Sequence, residues 1–134
     1  MKQHITVADA APPPKTARYS HAVKAGGFLH VTGQLPIDPA NPAAPLPPDI
    51  ETQTELSMLN IRRIVAAAGY DLTDTVFVRI FLADFDRDYV GMNSVFHRYY
   101  DDDATMPGRT TVGVAKLGRG ALVEIDMVLF REQA

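Results

Sequence analysis

The sequence predicts an α+β protein in which two helices cover one face of a mixed sheet. Two stretches repeat apolar residues at helical spacing, Met58, Ile61, Ile64, Val65 and Ala68 in the first and Tyr89, Met92 and Phe96 in the second. Around and between them lie strand-like runs at 19–24, 28–35, 76–82, 110–117 and 122–131, giving the order β-β-α-β-α-β-β. Helices that enter between strands require crossover connections, whereas hairpins at both ends require antiparallel pairs, so a single sheet meeting both demands is mixed. With 134 residues, 46% of them hydrophobic, the chain is read as one domain over residues 1–134 that needs no metal or disulfide to hold its core.

Residues 1–16 are expected to be an extended N-terminal segment, because the run Pro12-Pro13-Pro14 lacks backbone donors and disfavours helix. Regular structure is expected to begin after it, with Gly26-Gly27 turning the first hairpin and pairing Tyr19 with Gln34 and His21 with Thr32. Six prolines within residues 36–48 exclude both a helix and a central strand, leaving a surface loop of the kind that often borders a site. The first helix starts at Asp49 or Thr52, carries Glu51, Gln53, Glu55 and Arg62 on its polar face, and ends at Gly69. Residues 76–82 are apolar apart from Arg79 and read as an interior strand covered on both faces. Asp84 or Asp86 caps the second helix, and the run Asp101-Asp102-Asp103 ends it. The last two strands are expected to form a hairpin around Gly118 and Gly120. Both helices on one face leave the other partly apolar, and burial against further copies of the chain is the expected solution.

Composition excludes several functions. The absence of cysteine removes disulfides, thiolate nucleophiles and thiolate metal sites, and no apolar run approaches a membrane span. These features, with no signal-like N-terminus, point to a cytoplasmic protein without membrane contact. Four histidines without a ligand at i+4 give no metal signature, and neither glycine turn has a phosphate-loop pattern, so no metal and no nucleotide held by those turns is expected. A net charge of −3, with no basic residues interleaved among exposed rings, argues against a nucleic-acid partner.

Two residues stand out for their chemistry. Arg109 follows Pro107-Gly108 at a strand start, where its planar fork can clamp a carboxylate or form a surface or interface salt bridge. Glu124 interrupts the apolar run Leu122-Val123-Glu124-Ile125-Asp126-Met127 and shares a face with Asp126. Such a carboxylate is a solvated or ion-paired outer residue, or a general base. His21 is expected at the mouth of any site near Tyr19, whereas Tyr89, Phe96 and Tyr99 read as a core stripe.

In their order these segments resemble the RidA/YjgF reactive-intermediate deaminase family from about Tyr19 to Phe130. Tyr19-Ser20-His21-Ala22-Val23, the strand ending Thr32-Gly33-Gln34-Leu35-Pro36, Asn60 with Ala67-Ala68-Gly69, and Phe81-Leu82-Ala83-Asp84 followed by Asn93 are similar to its motifs. The strongest match is Pro107-Gly108-Arg109-Thr110-Thr111-Val112-Gly113-Val114, followed by Val123-Glu124-Ile125. The resemblance implies a chorismate-mutase-like fold, a homotrimer whose sheets line a central barrel, and three clefts between subunits. It further implies cofactor-free hydrolysis of small 2-imino or 2-enamino acids to 2-keto acids and ammonia. In that scheme Arg109 holds the substrate carboxylate and Glu124 orients or activates water. Tyr19 shapes the cleft, and Gly33 and Thr111 contribute backbone contacts.

The chain departs from the family pattern at Thr111, where many members carry cysteine, and at Ala17-Arg18, His21 and Gly118. Arg18 at the cleft would favour a substrate with a second carboxylate, as in a 2-aminomuconate-type deaminase. A keto-acid binder without turnover and a ribonuclease-like member are the remaining readings of the resemblance.

Overall fold

The computed structural model describes residues 1–133, so that Ala134, the last residue of the expected 1–134 span, lies outside the described residues. Its strands are β1 (Lys2–Ile5), β2 (Ala22–Ala25), β3 (Phe28–Gln34), β4 (Thr75–Leu82), β5 (Gly108–Gly113) and β6 (Val123–Phe130), with helices α1 (Ile50–Ala67) and α2 (Phe85–Tyr99). They form one mixed six-stranded sheet in the order β1-β2-β3-β6-β4-β5, in which β4 and β5 are parallel and every other neighbouring pair is antiparallel.

Local chemistry sets the helix limits. The Asp49 carboxylate accepts from the Thr52 amide at 2.8 Å to start α1, and Asp84 accepts from the Arg87 amide at 3.2 Å to start α2. Helix α1 closes with Gly69 N–H donating to Ala66 and Tyr70 N–H to Val65, satisfying carbonyls that the helix itself cannot. Its inward face carries Met58, Ile61, Ile64 and Val65 as the spacing predicts, against Leu29, Val78, Ile80, Leu82, Val123, Ile125 and Leu129 of the sheet, all essentially inaccessible to solvent. Gln53, expected on the polar face, is buried instead. Its amide donates to the Pro47 carbonyl at 2.6 Å and accepts from the Leu122 amide at 2.8 Å, tying the proline-rich loop to the start of β6.

Three sequence expectations change. Regular structure begins before the triple proline, since Lys2–Ile5 pairs with Ala22–Ala25 as an edge strand. The first hairpin keeps the expected register, with Thr32 N–H donating to the His21 carbonyl at 3.0 Å, but the paired strand starts at Ala22 and Tyr19 lies outside it. The expected terminal hairpin does not form: β4 lies between β5 and β6. The connection over residues 114–122 is long enough to step across one strand. Val114 N–H donates to Leu82 and Ala83 N–H to Leu122, so the connection stays bound to the end of β4.

Strand β4 is interior to the sheet as predicted, but only one of its faces is covered within the chain. Val76 and Phe77 remain 48% and 38% exposed on the described surface, so the apolar open side is real and lacks a second layer. No helix of the described residues is long and apolar enough to cross a membrane.

Candidate functional site

Strand alternation distributes the predicted residues over two faces. In the antiparallel register Glu124 lies opposite Phe81, and in the parallel register Phe81 lies beside Val112, placing all three on the open side. Arg109 lies beside fully buried Val78 and therefore points to the helix side of edge strand β5, with Thr111 two residues on. Within one chain Arg109 and Glu124 thus occupy opposite faces of the sheet.

The open-side group is built from β3, β6 and the segment before β2. A register irregularity between Val31 and Gln34 brings Gly33 against Glu124. A Cβ on Gly33 would stand only 2.5 Å from Glu124 Oε2, so the carboxylate occupies the space that glycine leaves. Thr32 Oγ1 donates to the Ser20 carbonyl at 2.7 Å, which fastens the chain next to Tyr19. Burial, followed by the negative charge of Glu124, pushes the Tyr19 phenol above its ordinary range. Arg18 is exposed and lines a groove of about 1000 Å³ with His4, Lys15, Tyr19, Ser20 and Thr32. Tyr19, Gly33 and Glu124 are therefore gathered in one chain, with Arg18 on their approach.

Glu124 differs from its neighbour Asp126 in a way that matters chemically. Asp126 is held by Arg79 in a two-point ion pair, Nε to Oδ1 at 2.9 Å and Nη2 to Oδ2 at 2.7 Å. The interruption of β4 by Arg79 was visible in the sequence; its pairing with Asp126 required the register. Glu124 takes part in no ion pair among the described residues. Half-burial, and to a lesser extent the Asp126 charge, raise its carboxyl above the ordinary range.

The helix-side group is different in kind. The Arg109 guanidinium carbon lies 5.2 Å from the Phe96 ring centre and 5.9 Å from that of Tyr89. Its Nη2 donates to the Tyr89 hydroxyl at 3.3 Å, and it forms no ion pair among the described residues. Thr111 Oγ1 and Asn93 Oδ1 are buried without a hydrogen-bond partner.

His21 does not stand at the mouth of the site. It is buried, accepting from the Val7 amide at Nδ1 (2.9 Å) and bonding the Ala11 carbonyl through Nε2 (2.8 Å), while Asn60 accepts from the Ala11 amide at 2.9 Å. These bonds fix the N-terminal segment against the core. Among the described residues no group of three His, Asp or Glu side chains is placed to hold a metal ion.

Residues 9–130 match the family model described as endoribonuclease L-PSP. A RutC family protein of Pyrococcus horikoshii is 37% identical over 132 residues, covering 98% of this chain and all of that protein. The crystal structure of a candidate endoribonuclease of Thermotoga maritima superposes with a TM-score of 0.89 at 34% identity, over 99% of this chain and 100% of that one. TdcF of Escherichia coli, named as a candidate reactive intermediate deaminase, is 31% identical over 89% of this chain and 91% of its own length. Its crystal structure with bound serine superposes with a TM-score of 0.88 at 28% identity, over 97% of this chain and 99% of that one. The match along nearly the whole chain, with the same two helices on a mixed six-stranded sheet, makes this protein a member of the RidA/YjgF family.

Proposed function

We propose that this protein is a cofactor-free deaminase that hydrolyses 2-imino and 2-enamino acids to 2-keto acids and ammonia, in clefts between the subunits of a homotrimer. The observation that carries the reading is Glu124: a half-buried carboxylate with no cation partner among the described residues, raised in pKa, set against Gly33 and near Tyr19. A carboxyl raised above its ordinary range is a stronger base than a free surface glutamate and so better suited to accept and return a proton. The likeness to TdcF favours the same chemistry.

In this mechanism the substrate carboxylate pairs with Arg109, which stays protonated at any working pH and has no competing carboxylate among the described residues. The backbone at Gly33 and Thr111 lines the cleft, and Tyr19 closes one side. Glu124 takes a proton from water as its oxygen bonds to the imine carbon and the C=N bond becomes single. Glu124 then returns the proton to nitrogen. The C–N bond breaks as the hydroxyl proton passes to Glu124 and from it to solvent, leaving a keto acid and ammonia. Fixing the acid and aiming the water are the protein's main tasks, since the iminium carbon is already electrophilic.

Because Arg109 and Glu124 lie on opposite faces of one sheet, each working cleft joins Arg109 of one copy to Glu124 of another. Complementation tests this directly, with ammonia release from 2-iminobutanoate as the readout. Arg109→Ala and Glu124→Gln are each expected to lose turnover, and unfolding and reassembling them together should restore about a quarter of the clefts at equal mixing. Reassembly of wild-type chains by the same procedure controls for recovery. No restored activity would overturn the shared cleft. Wild-type protein that binds a keto acid without accelerating release would make it a non-catalytic binder.

A second reading of the substrate rests on the groove beside Tyr19. Lys15 and Arg18 form no ion pairs among the described residues there, and so favour an imine that carries a second carboxylate, the 2-aminomuconate type.

A further inference from the structure

The aromatic pair that flanks Arg109 reads as helix core in the sequence, yet its geometry gives it a second task. Tyr89 and Phe96 lie seven residues apart on α2, two turns along one face, and both rings stand close to the guanidinium. Tyr89 is itself held in place by Phe85, whose ring stacks on it with centres 4.8 Å apart and planes 22° from parallel. An arginine meant to bind a substrate carboxylate cannot be oriented by a resident carboxylate without losing its free charge. Aromatic faces and one neutral oxygen orient it while leaving that charge available.

The hydrogen-bond arithmetic goes further. Arg109 Nη2 donates to the Tyr89 hydroxyl at 3.3 Å, which uses one of the five guanidinium N–H groups and one lone pair of the phenol. The phenol O–H proton has no acceptor among the described residues. It sits beside the cation that attracts an anion, where a carboxylate oxygen bound to Arg109 could accept it.

We propose that Tyr89 is the second member of the carboxylate clamp, orienting Arg109 through its oxygen and donating its own O–H to the carboxylate that Arg109 binds. This rests on the deaminase reading for the substrate and adds a residue that distinguishes an acid from its neutral amide. The amide keeps the carbon skeleton and the keto group but presents no anion to the arginine and the phenol together.

The test is binding of 2-oxobutanoate and of 2-oxobutanamide by calorimetry, alongside turnover of 2-iminobutanoate, for the wild type, Tyr89→Phe and Arg109→Lys. In Tyr89→Phe the affinity for the acid should fall about tenfold, as expected for loss of a hydrogen bond to a charged group, while amide affinity stays unchanged. KM should rise by a similar factor with kcat within about twofold, because the lost contact is made equally in ground and transition states. Arg109→Lys separates the cation from its planar fork and should also weaken acid binding. Equal acid-to-amide preference in the wild type and Tyr89→Phe would overturn the proposal, as would a matched fall for both ligands together with a lowered Tm, which would mark Tyr89 as packing alone. Acid binding retained without turnover in the wild type would overturn the deaminase reading and leave the clamp standing. No acid binding by the wild type would overturn both.

Discussion

The two faces of the sheet are made by the same strands and do different work. On the helix side β6 contributes Val123, Ile125, Met127 and Leu129, all at 2% exposure or less, and the result is a closed core. On the other side the alternate residues Glu124, Asp126 and Val128 meet Phe81, Arg79 and Phe77, and Phe130 meets Phe28, forming a surface that mixes charge with large apolar groups. A concavity of about 550 Å³ on this side is lined by His30, Thr32, Gly33, Phe77, Arg79 and Asp126, among others. One strand thus supplies the closed core with its odd-numbered residues and the carboxylates of the open face with its even-numbered ones. The lesson is that a carboxylate in an apolar strand is informative only once the face it occupies is known.

The sharpest way to break this contrast is a pair of substitutions on neighbouring strands, one on each face. Ile125→Ala removes a buried side chain under the helices and should cost about 3 kcal/mol of unfolding free energy, measured by urea titration. Phe81→Ala, on the open side, should cost the chain much less and instead raise the concentration at which the proposed trimer dissociates, read by sedimentation. Equal losses of chain stability from both would mean that the open face is not covered by other copies.

A smaller effect concerns protonation. Asp126 adds to the rise in the Glu124 pKa, so Asp126→Asn removes a negative charge and frees the positive charge of Arg79, and both changes lower it. The acid limb of kcat/KM should move to lower pH in Asp126→Asn, and to higher pH in Arg79→Gln, where Asp126 loses its partner. Stability follows the same linkage. The folded pKa of Glu124 lies above its unfolded value, so its contribution is fullest below the unfolded value and is lost as pH rises through the folded one. An acid limb unmoved in both variants would remove Glu124 as the titrating base.

The smallest expected change is one of selectivity. Arg18→Ala should leave turnover of 2-iminobutanoate unchanged and reduce turnover of a dicarboxylic enamine several-fold, through loss of one exposed charge at the groove. Equal effects on both substrates would remove the second-carboxylate reading.

Much of this architecture was legible because helix period, caps and turns are local signals. Asp49, Asp84 and the first hairpin's register could be read from neighbours in sequence. What escaped depends on contacts between distant segments. Lys2–Ile5 is short and polar, and becomes a strand only because β2 presents an edge to it. The last two strands look like a hairpin until β4 is seen to lie between them, and that placement also sends Arg109 and Glu124 to opposite faces. Glu124 and Arg109 could be picked out as candidates by their chemistry, whereas Tyr89 could not, because its apolar ring fits the helical stripe and only the packing of α2 against β5 brings its hydroxyl to the arginine.

The fastening of the N-terminal segment has a consequence for how this protein can vary. His21 and Asn60 hold residues 7–11 wholly through main-chain groups, the amides of Val7 and Ala11 and the carbonyl of Ala11. The instructions for docking that segment therefore reside in two side chains far from it in sequence. Exposed positions within it, Ala8 and Asp9, are free to drift, and a grafted segment of different sequence would dock in the same place, provided it offers small apolar residues at 7, 10 and 11. Loss of either His21 or Asn60, in contrast, would leave buried backbone groups that no substitution within the segment could satisfy.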